Sequence, residues 1–188
     1  MRCSPLIALA MAGCALSAPA APQRYRLIPV SSWVTAEVLH FGTSTIRARF
    51  GPLQGEATLD WAGQRGEIGI EIATGTVSTG FSIFDARLRE PDLLASAAFP
   101  AAWFVASQFR FDGQALREVR GEFTLRNVSR PLSLTAIRFS CRPAEGGEVC
   151  GGDFEATLKR SEFGADFGIP LVADSVRLLV QIEAQKLP

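Results

Sequence analysis

The residues in this sequence that could carry catalytic chemistry are few. His40 is the single histidine among 188 residues, and therefore the single imidazole that could act as a general base near neutral pH. A hydrolytic triad would combine His40 with Asp85 and a serine. Neither candidate serine, Ser31 or Ser44, lies in a G-x-S-x-G nucleophile elbow, so the sequence predicts that the protein is not an enzyme. His40 is in phase with an apolar strand face, which favours a hydrogen-bonded structural role or a polar contact with a ligand.

Arginine and aspartate side chains offer the other chemistry, which is recognition of a polar group. A guanidinium presents a planar set of N–H donors that matches phosphate or carbonyl oxygens. Arg87 and Arg160 are the candidates for binding the polar end of a ligand, and Asp85 could form an ion pair with Arg160. One histidine cannot supply a usual transition-metal shell, so the sequence predicts no metal site.

The bulk composition is that of a globular domain with no preference for nucleic acid. Lys plus Arg equals Asp plus Glu, at 19 each, and 47% of the residues are hydrophobic. A balanced charge gives no field that attracts a polyanion, and no basic stripe with interleaved aromatics is present. Phenylalanine is abundant, with 13 residues against a single tyrosine, which suits an apolar core or cavity. Formation of a homodimer is left open.

The N-terminal segment is typical of a targeting sequence. A short apolar run follows Arg2, and Ala18-Pro19-Ala20 fits an A-x-A cleavage site. The run is shorter than the roughly 20 residues that a membrane span needs, and no later segment is long and apolar enough. We therefore expect a cleaved signal peptide at 1–20, one domain at 21–188, and a periplasmic or secreted protein. The residues ending at Cys14 also resemble a lipobox, so a lipoprotein anchored to a membrane through Cys14 is the alternative.

The cysteines divide into two groups. Cys3 and Cys14 belong to the targeting segment, which leaves Cys141 and Cys150 as a pair. The eight residues between the pair are rich in turn formers and have strand patterns on either side. In an oxidising compartment this arrangement predicts a disulfide that closes a hairpin loop.

Most of the domain alternates apolar and polar residues with a period of two. Such alternation predicts strands with one buried and one solvated face. Many short strands separated by turn signals indicate an antiparallel sandwich or a closed barrel. The predicted strands lie at 45–50, 67–72, 118–125, 153–159 and 175–184, and the predicted turns at Ala62-Gly63-Gln64, Asp112-Gly113, Gly146-Gly147 and Gly151-Gly152.

One stretch has a helical pattern instead. Phe81, Phe84 and Leu88 are spaced i, i+3 and i+7, which places them on one helix face. Pro91 interrupts the pattern, and a second helical turn is expected at 92–98. The sequence thus predicts a short helical insertion around 81–97 in an otherwise all-β chain.

Four patches lie in order along the domain and together carry a family likeness. They are HFG at 40–42 with RFG at 49–51, DARL at 85–88 with FP at 99–100, GEFTLRNVSRPL at 121–132, and RSEFG at 160–164. In this combination the chain resembles the YceI-like family of polyisoprenoid-binding, lipocalin-like proteins. The corresponding family patterns are H-x-G with G-x-F, R-D-x-H-L with Y-P, G-x-L-T-x-x-G-V-T-R-P-V, and R-S-D-F-G.

The chain departs from these patterns at four positions. Phe84 and Arg87 replace an Arg and a His of the family. Ala48 and Asn127 each replace a Gly. Asn tolerates the left-handed conformation best after Gly, so the turn at Asn127 is expected to persist.

The resemblance implies a closed eight-stranded antiparallel lipocalin-like barrel with a helical insertion. Its interior would hold an isoprenoid chain, such as a quinone tail or a polyprenyl phosphate, or a fatty amide. A ligand-free scaffold for stress response or protein interaction is the alternative, because the apolar strand faces could equally pack as a solid core. The residues expected to line the cavity are Ile46, Phe50, Phe81, Phe84, Leu88, Phe99, Phe104, Phe123 and Phe163. The polar contacts expected for a head group are His40, Asp85, Arg87 and Arg160.

Overall fold

The strands follow the alternation of the sequence. In the computed structural model, which describes residues 21–188, Val176, Leu178 and Val180 are buried while Arg177 is exposed. The strands are β1 (Gln23–Leu27), β2 (Trp33–His40), β3 (Ser44–Phe50), β4 (Gln54–Asp60), β5 (Arg65–Ala73), β6 (Ala101–Asp112), β7 (Ala115–Leu125), β8 (Val128–Ala144), β9 (Gly147–Lys159) and β10 (Val172–Lys186). The predicted signal peptide at 1–20 and the lipidation site at Cys14 lie outside the described residues.

These ten strands form an eight-stranded barrel, because two of the barrel strands are each interrupted once. β1 and β2 are separated by a 3₁₀ turn at Pro29–Ser31, and both pair with β10. β4 pairs with β1 and β3 pairs with β2, so these two segments form the next strand of the barrel. From β4 to β10 neighbours follow chain order, all antiparallel, and the β1–β10 pairing closes the ring. The predicted closed eight-stranded barrel is confirmed.

The turns show where glycine is needed and where its absence is tolerated. Arg126 and Asn127 connect β7 to β8 with φ of 53° and 58°, so Asn127 occupies the left-handed conformation expected of it. The turn predicted at Gly151-Gly152 is wrong, since both residues lie inside β9. A Cβ on Gly151 would lie 2.6 Å from the Ile182 carbonyl oxygen, so these glycines permit close approach of neighbouring backbones.

The insertion between β5 and β6 contains the helix α1 (Ser82–Leu88). The segment at 92–98 forms consecutive turns, so the helix is shorter than the predicted insertion. The chain reverses because Leu94 N–H donates to the Leu88 carbonyl and Ala95 takes a left-handed φ of 49°. Ser78, just before α1, bridges to Arg49 on β3, which places the insertion beside that strand. Within 21–188 no helix has the length and apolar character needed to cross a membrane.

Aromatic side chains fill the barrel at the end opposite α1, which we call the closed end. The ring of Trp61 lies 6.2 Å from that of Phe111 and 6.0 Å from that of Phe139, centroid to centroid. Phe139 in turn lies 6.2 Å from Phe154. These four side chains pack against the main core, so the closed end is occupied by protein atoms.

The closed end is also fixed by a buried tyrosine and a disulfide. Tyr25 is 1% exposed, and its hydroxyl donates to Glu148 Oε1 at 2.7 Å. Burial, with the nearby Glu148 carboxylate, raises the pKa of Tyr25 to about 12. Cys141 and Cys150 stand opposite each other on β8 and β9 and form the disulfide predicted from the sequence.

Candidate functional site

The half of the barrel next to α1 encloses a cavity of about 370 Å³. All the strands contribute to its wall except the short segments β1 and β4, which lie toward the closed end. Helix α1 and the segment at 160–172 complete the wall. Its apolar lining comprises Val34, Ala36, Val38, Ile46, Ala48, Phe50, Leu53, Ile70, Ile72, Phe84, Leu88, Leu93, Leu94, Ala102, Phe104, Phe123, Leu125, Leu132, Leu134, Leu158, Ala165, Phe167, Val172, Val176, Leu178 and Val180.

The cavity exists because small side chains occupy wall positions where the closed end has aromatic rings. Ala36 and Ala48 stand directly opposite each other on β2 and β3, and Ala102 lies on β6 across the insertion. None of these methyl groups reaches the centre of an eight-stranded barrel, whose interior is wide enough for one small ligand. The interior is therefore not a solid core at this end.

The cavity opens to solvent between α1 and the segment at 160–171. Phe84 and Phe167 line the cavity and are nevertheless 50% and 52% exposed. The Arg87 guanidinium lies 4.1 Å from the centroid of the Phe167 ring, so a cation–π contact joins the two sides. We call this side of the barrel the open end.

Arg160 is buried at the open end and holds the segment that follows β9. Its Nε donates to the Ala173 carbonyl at 2.9 Å, and its Nη2 donates to the Val172 carbonyl at 2.8 Å. Its Nη1 donates to the carbonyls of Ala165 and Phe167, at 2.6 and 2.9 Å. These contacts use four of the five N–H groups, which leaves one on Nη2. Burial lowers the pKa of Arg160, while it remains a cation at neutral pH.

The other polar side chains expected at a head group are engaged locally. Arg87 lines the cavity and forms a two-pronged ion pair with Asp92, at 2.6 and 2.7 Å. The pKa of Asp92 is lowered chiefly by this pair. Asp85 does not pair with Arg160, contrary to the sequence expectation. Its Oδ1 accepts from both the backbone N–H and the hydroxyl of Thr79, which lowers the pKa of Asp85 and fixes the entry into α1.

His40 lines the cavity at the end of β2, with its ring 4.3 Å from that of Phe41. Asp85 is committed to Thr79, so the triad drawn from the sequence is not assembled. Among the described residues, potential metal ligands group within 4.8 Å of one another at Cys141, Glu148 and Cys150. The two sulfurs there are bonded to each other, and the metal-binding form of cysteine is the thiolate.

The structure brings most of the residues predicted to line a cavity to one place. Ile46, Phe50, Phe84, Leu88, Phe104 and Phe123 line it. Three others lie elsewhere, which corrects the expectation for them. Phe81 precedes α1 and is 65% exposed, and Phe163 is buried behind Phe123 with their rings 5.6 Å apart. Phe99 ends the insertion, where its carbonyl accepts from Thr74, and does not reach the cavity wall.

The leucines and valines of the cavity wall, and Phe167 at the mouth of the cavity, were not predicted from the sequence. The β10 residues Val176, Leu178 and Val180 belong to a strand that the alternation identified, so their facing was readable. Phe167 carries no such signal because it lies in an irregular loop. Its position depends on the four carbonyls that Arg160 binds.

The geometry defines a class of protein: a lipocalin-like β-barrel with an apolar cavity that opens at one end. A family model for the YceI-like domain matches residues 25–184, and the chain belongs to the YceI-like family. It is 26% identical over 154 residues to protein YceI of Escherichia coli, covering 81% of this chain and 80% of that protein. The same identity and coverage relate it to a UPF0312 protein of Pseudomonas aeruginosa.

Solved structures share the fold at low sequence identity. Burkholderia cenocepacia BcnA is 20% identical, with a TM-score of 0.71, covering 85% of this chain and 99% of that one. A polyisoprenoid binding domain from Saccharophagus degradans is 16% identical, with a TM-score of 0.64, covering 87% and 98%.

Proposed function

We propose that this protein is a carrier that holds an isoprenoid-type lipid, or a fatty amide of similar shape, inside the barrel. The observation that carries the proposal is the cavity of about 370 Å³, whose wall is apolar from β2 round to β10. An apolar cavity offers water no hydrogen-bond partners and therefore favours an apolar occupant. A lipid chain that fills it gains roughly 0.8 kcal/mol of binding free energy per buried CH₂. The name of the Saccharophagus degradans domain gives the same ligand class for a protein of this fold.

The volume sets the length of chain that can be buried. A cavity of roughly 150 Å³ accommodates benzene, or about 25 Å³ per carbon atom. At that packing, 370 Å³ holds about 15 carbons, equivalent to three isoprene units. A longer chain would extend through the open end into solvent.

The distribution of polar groups sets the orientation of the ligand. His40, Thr79, Arg87 and Arg160 all lie at the open end of the cavity. The free N–H of Arg160 can donate to a carbonyl or phosphate oxygen, while the deeper wall offers no charged group. The ligand therefore enters chain first and keeps its polar end at the mouth.

We also propose that the carrier acts outside the cytoplasm and has no catalytic role. The signal-peptide pattern at 1–20 supports a periplasmic or secreted carrier, and lipidation of Cys14 would tether the same barrel to a membrane. Asp85 is hydrogen-bonded to Thr79 and the triad considered from the sequence is not assembled, so the function proposed is binding without catalysis.

Binding of a homologous series of prenyl alcohols tests this function. Geraniol, farnesol and geranylgeraniol carry 10, 15 and 20 carbons, on the order of the capacity worked out above. We expect affinity to rise steeply from the first to the second and then to level off. Absence of binding across the series would favour the ligand-free scaffold.

A further inference from the structure

An unusual set of exposed apolar side chains surrounds the open end. Phe81 and Ile83 at α1 are 65% and 75% exposed, Phe41 in the β2–β3 turn is 56% exposed, and Ile169 and Leu171 are 38% and 61% exposed. We call these five residues the rim. They come from three separate segments, so their exposure is not an accident of one loop.

The rim is continuous with the mouth of the cavity. Phe41 N–H donates to the Leu171 carbonyl at 2.8 Å, which joins the β2–β3 turn to the segment before β10. The Phe81 ring lies 5.9 Å from Phe84, and Phe84 lines the cavity. Phe167, which also lines the cavity and is half exposed, lies between Arg160 and the rim residue Ile169 in sequence. An apolar path thus runs from the rim into the barrel.

The rim also retains an unfavourable backbone geometry. Phe41 adopts a left-handed φ of 50°, which is rare for a bulky side chain. Its side chain is thereby held outward, 56% exposed, in the turn beside His40. A solvated loop of this shape would ordinarily carry Gly or Asn at that position.

We propose that the rim docks on the surface of a lipid bilayer and places the mouth of the cavity against the acyl chains. This inference rests on the proposed carrier function, because a chain lipid must leave a bilayer to enter the barrel. A second copy of the protein bound at the rim would cover the mouth through which the ligand passes. A bilayer instead supplies an apolar phase that continues the path from the rim into the cavity.

The charges near the rim indicate how the surface is held. Arg87 is neutralised by Asp92, and the whole chain has as many acidic as basic residues. Docking therefore depends on insertion of apolar side chains and not on attraction to anionic headgroups. Phosphatidylcholine vesicles should be sufficient, and raised salt should not release the protein.

Vesicle flotation with the 21–188 chain tests the proposal. We expect wild type to float with phosphatidylcholine vesicles, and the variant Ile83→Asp with Leu171→Asp to bind at least tenfold more weakly. Val105→Asp with Ile137→Asp is the matched control, because these side chains are 59% and 57% exposed on β6 and β8, and neither belongs to the rim or lines the cavity. The proposal is overturned if wild type remains with the soluble fraction, or if the control loses as much binding as the rim variant.

Farnesol binding and the oligomeric state distinguish membrane docking from lipid binding in the cavity and from self-association. Farnesol binding from detergent-free solution should be equal in wild type and rim variant, since neither substituted side chain lines the cavity. Farnesol binding without vesicle binding would overturn docking and leave the carrier function standing. Vesicle binding without farnesol binding would overturn the carrier function. If the wild type is a dimer and the rim variant is a monomer, the rim is the interface with a second copy, and docking on a bilayer is overturned.

Discussion

Filling the cavity from its own wall should remove the ligand while leaving the barrel intact. Ala48 lies on β3, is 8% exposed and lines the cavity opposite Ala36. In Ala48→Phe, a six-carbon ring replaces a methyl hydrogen and extends into space that is otherwise open. The new ring is apolar in an apolar environment, so the free energy of unfolding should be unchanged or higher.

The loss of affinity follows from the volume that remains. A ring of benzene size takes roughly 150 Å³, which leaves room for about nine carbons. Farnesol then loses burial of about six carbons, at roughly 0.8 kcal/mol each, or about 5 kcal/mol in total. Contacts of the expelled carbons with the rim restore part of the lost binding free energy. We therefore expect farnesol to bind at least about a hundredfold more weakly. Geraniol, with ten carbons, loses burial of only about one carbon, or about 0.8 kcal/mol, and should bind only a few-fold more weakly.

Isothermal titration of the wild type, Ala48→Phe and Ala115→Phe with both alcohols measures these changes. Ala115 is exposed at the start of β7, so the same substitution there controls for a general effect of an added phenylalanine. Urea unfolding of each variant checks that the fold is retained. Unchanged farnesol affinity in a folded Ala48→Phe protein would refute placement of the ligand in this cavity.

Three other substitutions probe the parts of the barrel that support the site. Arg160→Lys cannot reach the four carbonyls at once and should lower the free energy of unfolding by about 3 kcal/mol in urea denaturation; a change below about 1 kcal/mol would contradict the role given to this side chain. Replacing Cys141 and Cys150 by serine should cost about 2.5 kcal/mol from the loop they close, with farnesol affinity preserved because the disulfide is at the closed end. Tyr25 is the sole tyrosine, so tyrosinate absorbance reports on it alone and should titrate near pH 12. Because the pKa is raised on folding, its contribution to stability is present below pH 10 and is lost as pH rises from 10 to 12, and Tyr25→Phe should abolish that dependence.

The barrel was predictable because its strands carry a strong local signal. The alternation around Val176, Leu178 and Val180 identifies both the strand and its buried face. The interruption of the first two barrel strands was not visible, since it depends on how Pro29–Ser31 meets β10. Gly151 and Gly152 were misleading, because glycine in a strand and glycine in a turn look alike in sequence.

The candidate site was predictable only in part, for a related reason. Alternation tells that Phe104 and Phe123 face inward, and cannot tell whether they meet a cavity or other side chains. That outcome depends on the sum of volumes across the barrel, including the small Ala36, Ala48 and Ala102 on other strands. The role of Arg160 was equally hidden, because its four acceptors are backbone carbonyls of residues that have no sequence signature.

Native mass spectrometry of the protein, purified without detergent from cells that produce it naturally, would show whether the barrel carries a lipid. We expect a complex with one lipid per chain, and organic extraction should yield a molecule with a chain of about 15 or more carbons and a polar end. The bare mass of the chain, with no uptake when prenyl alcohols, quinones or fatty amides are added, would contradict it.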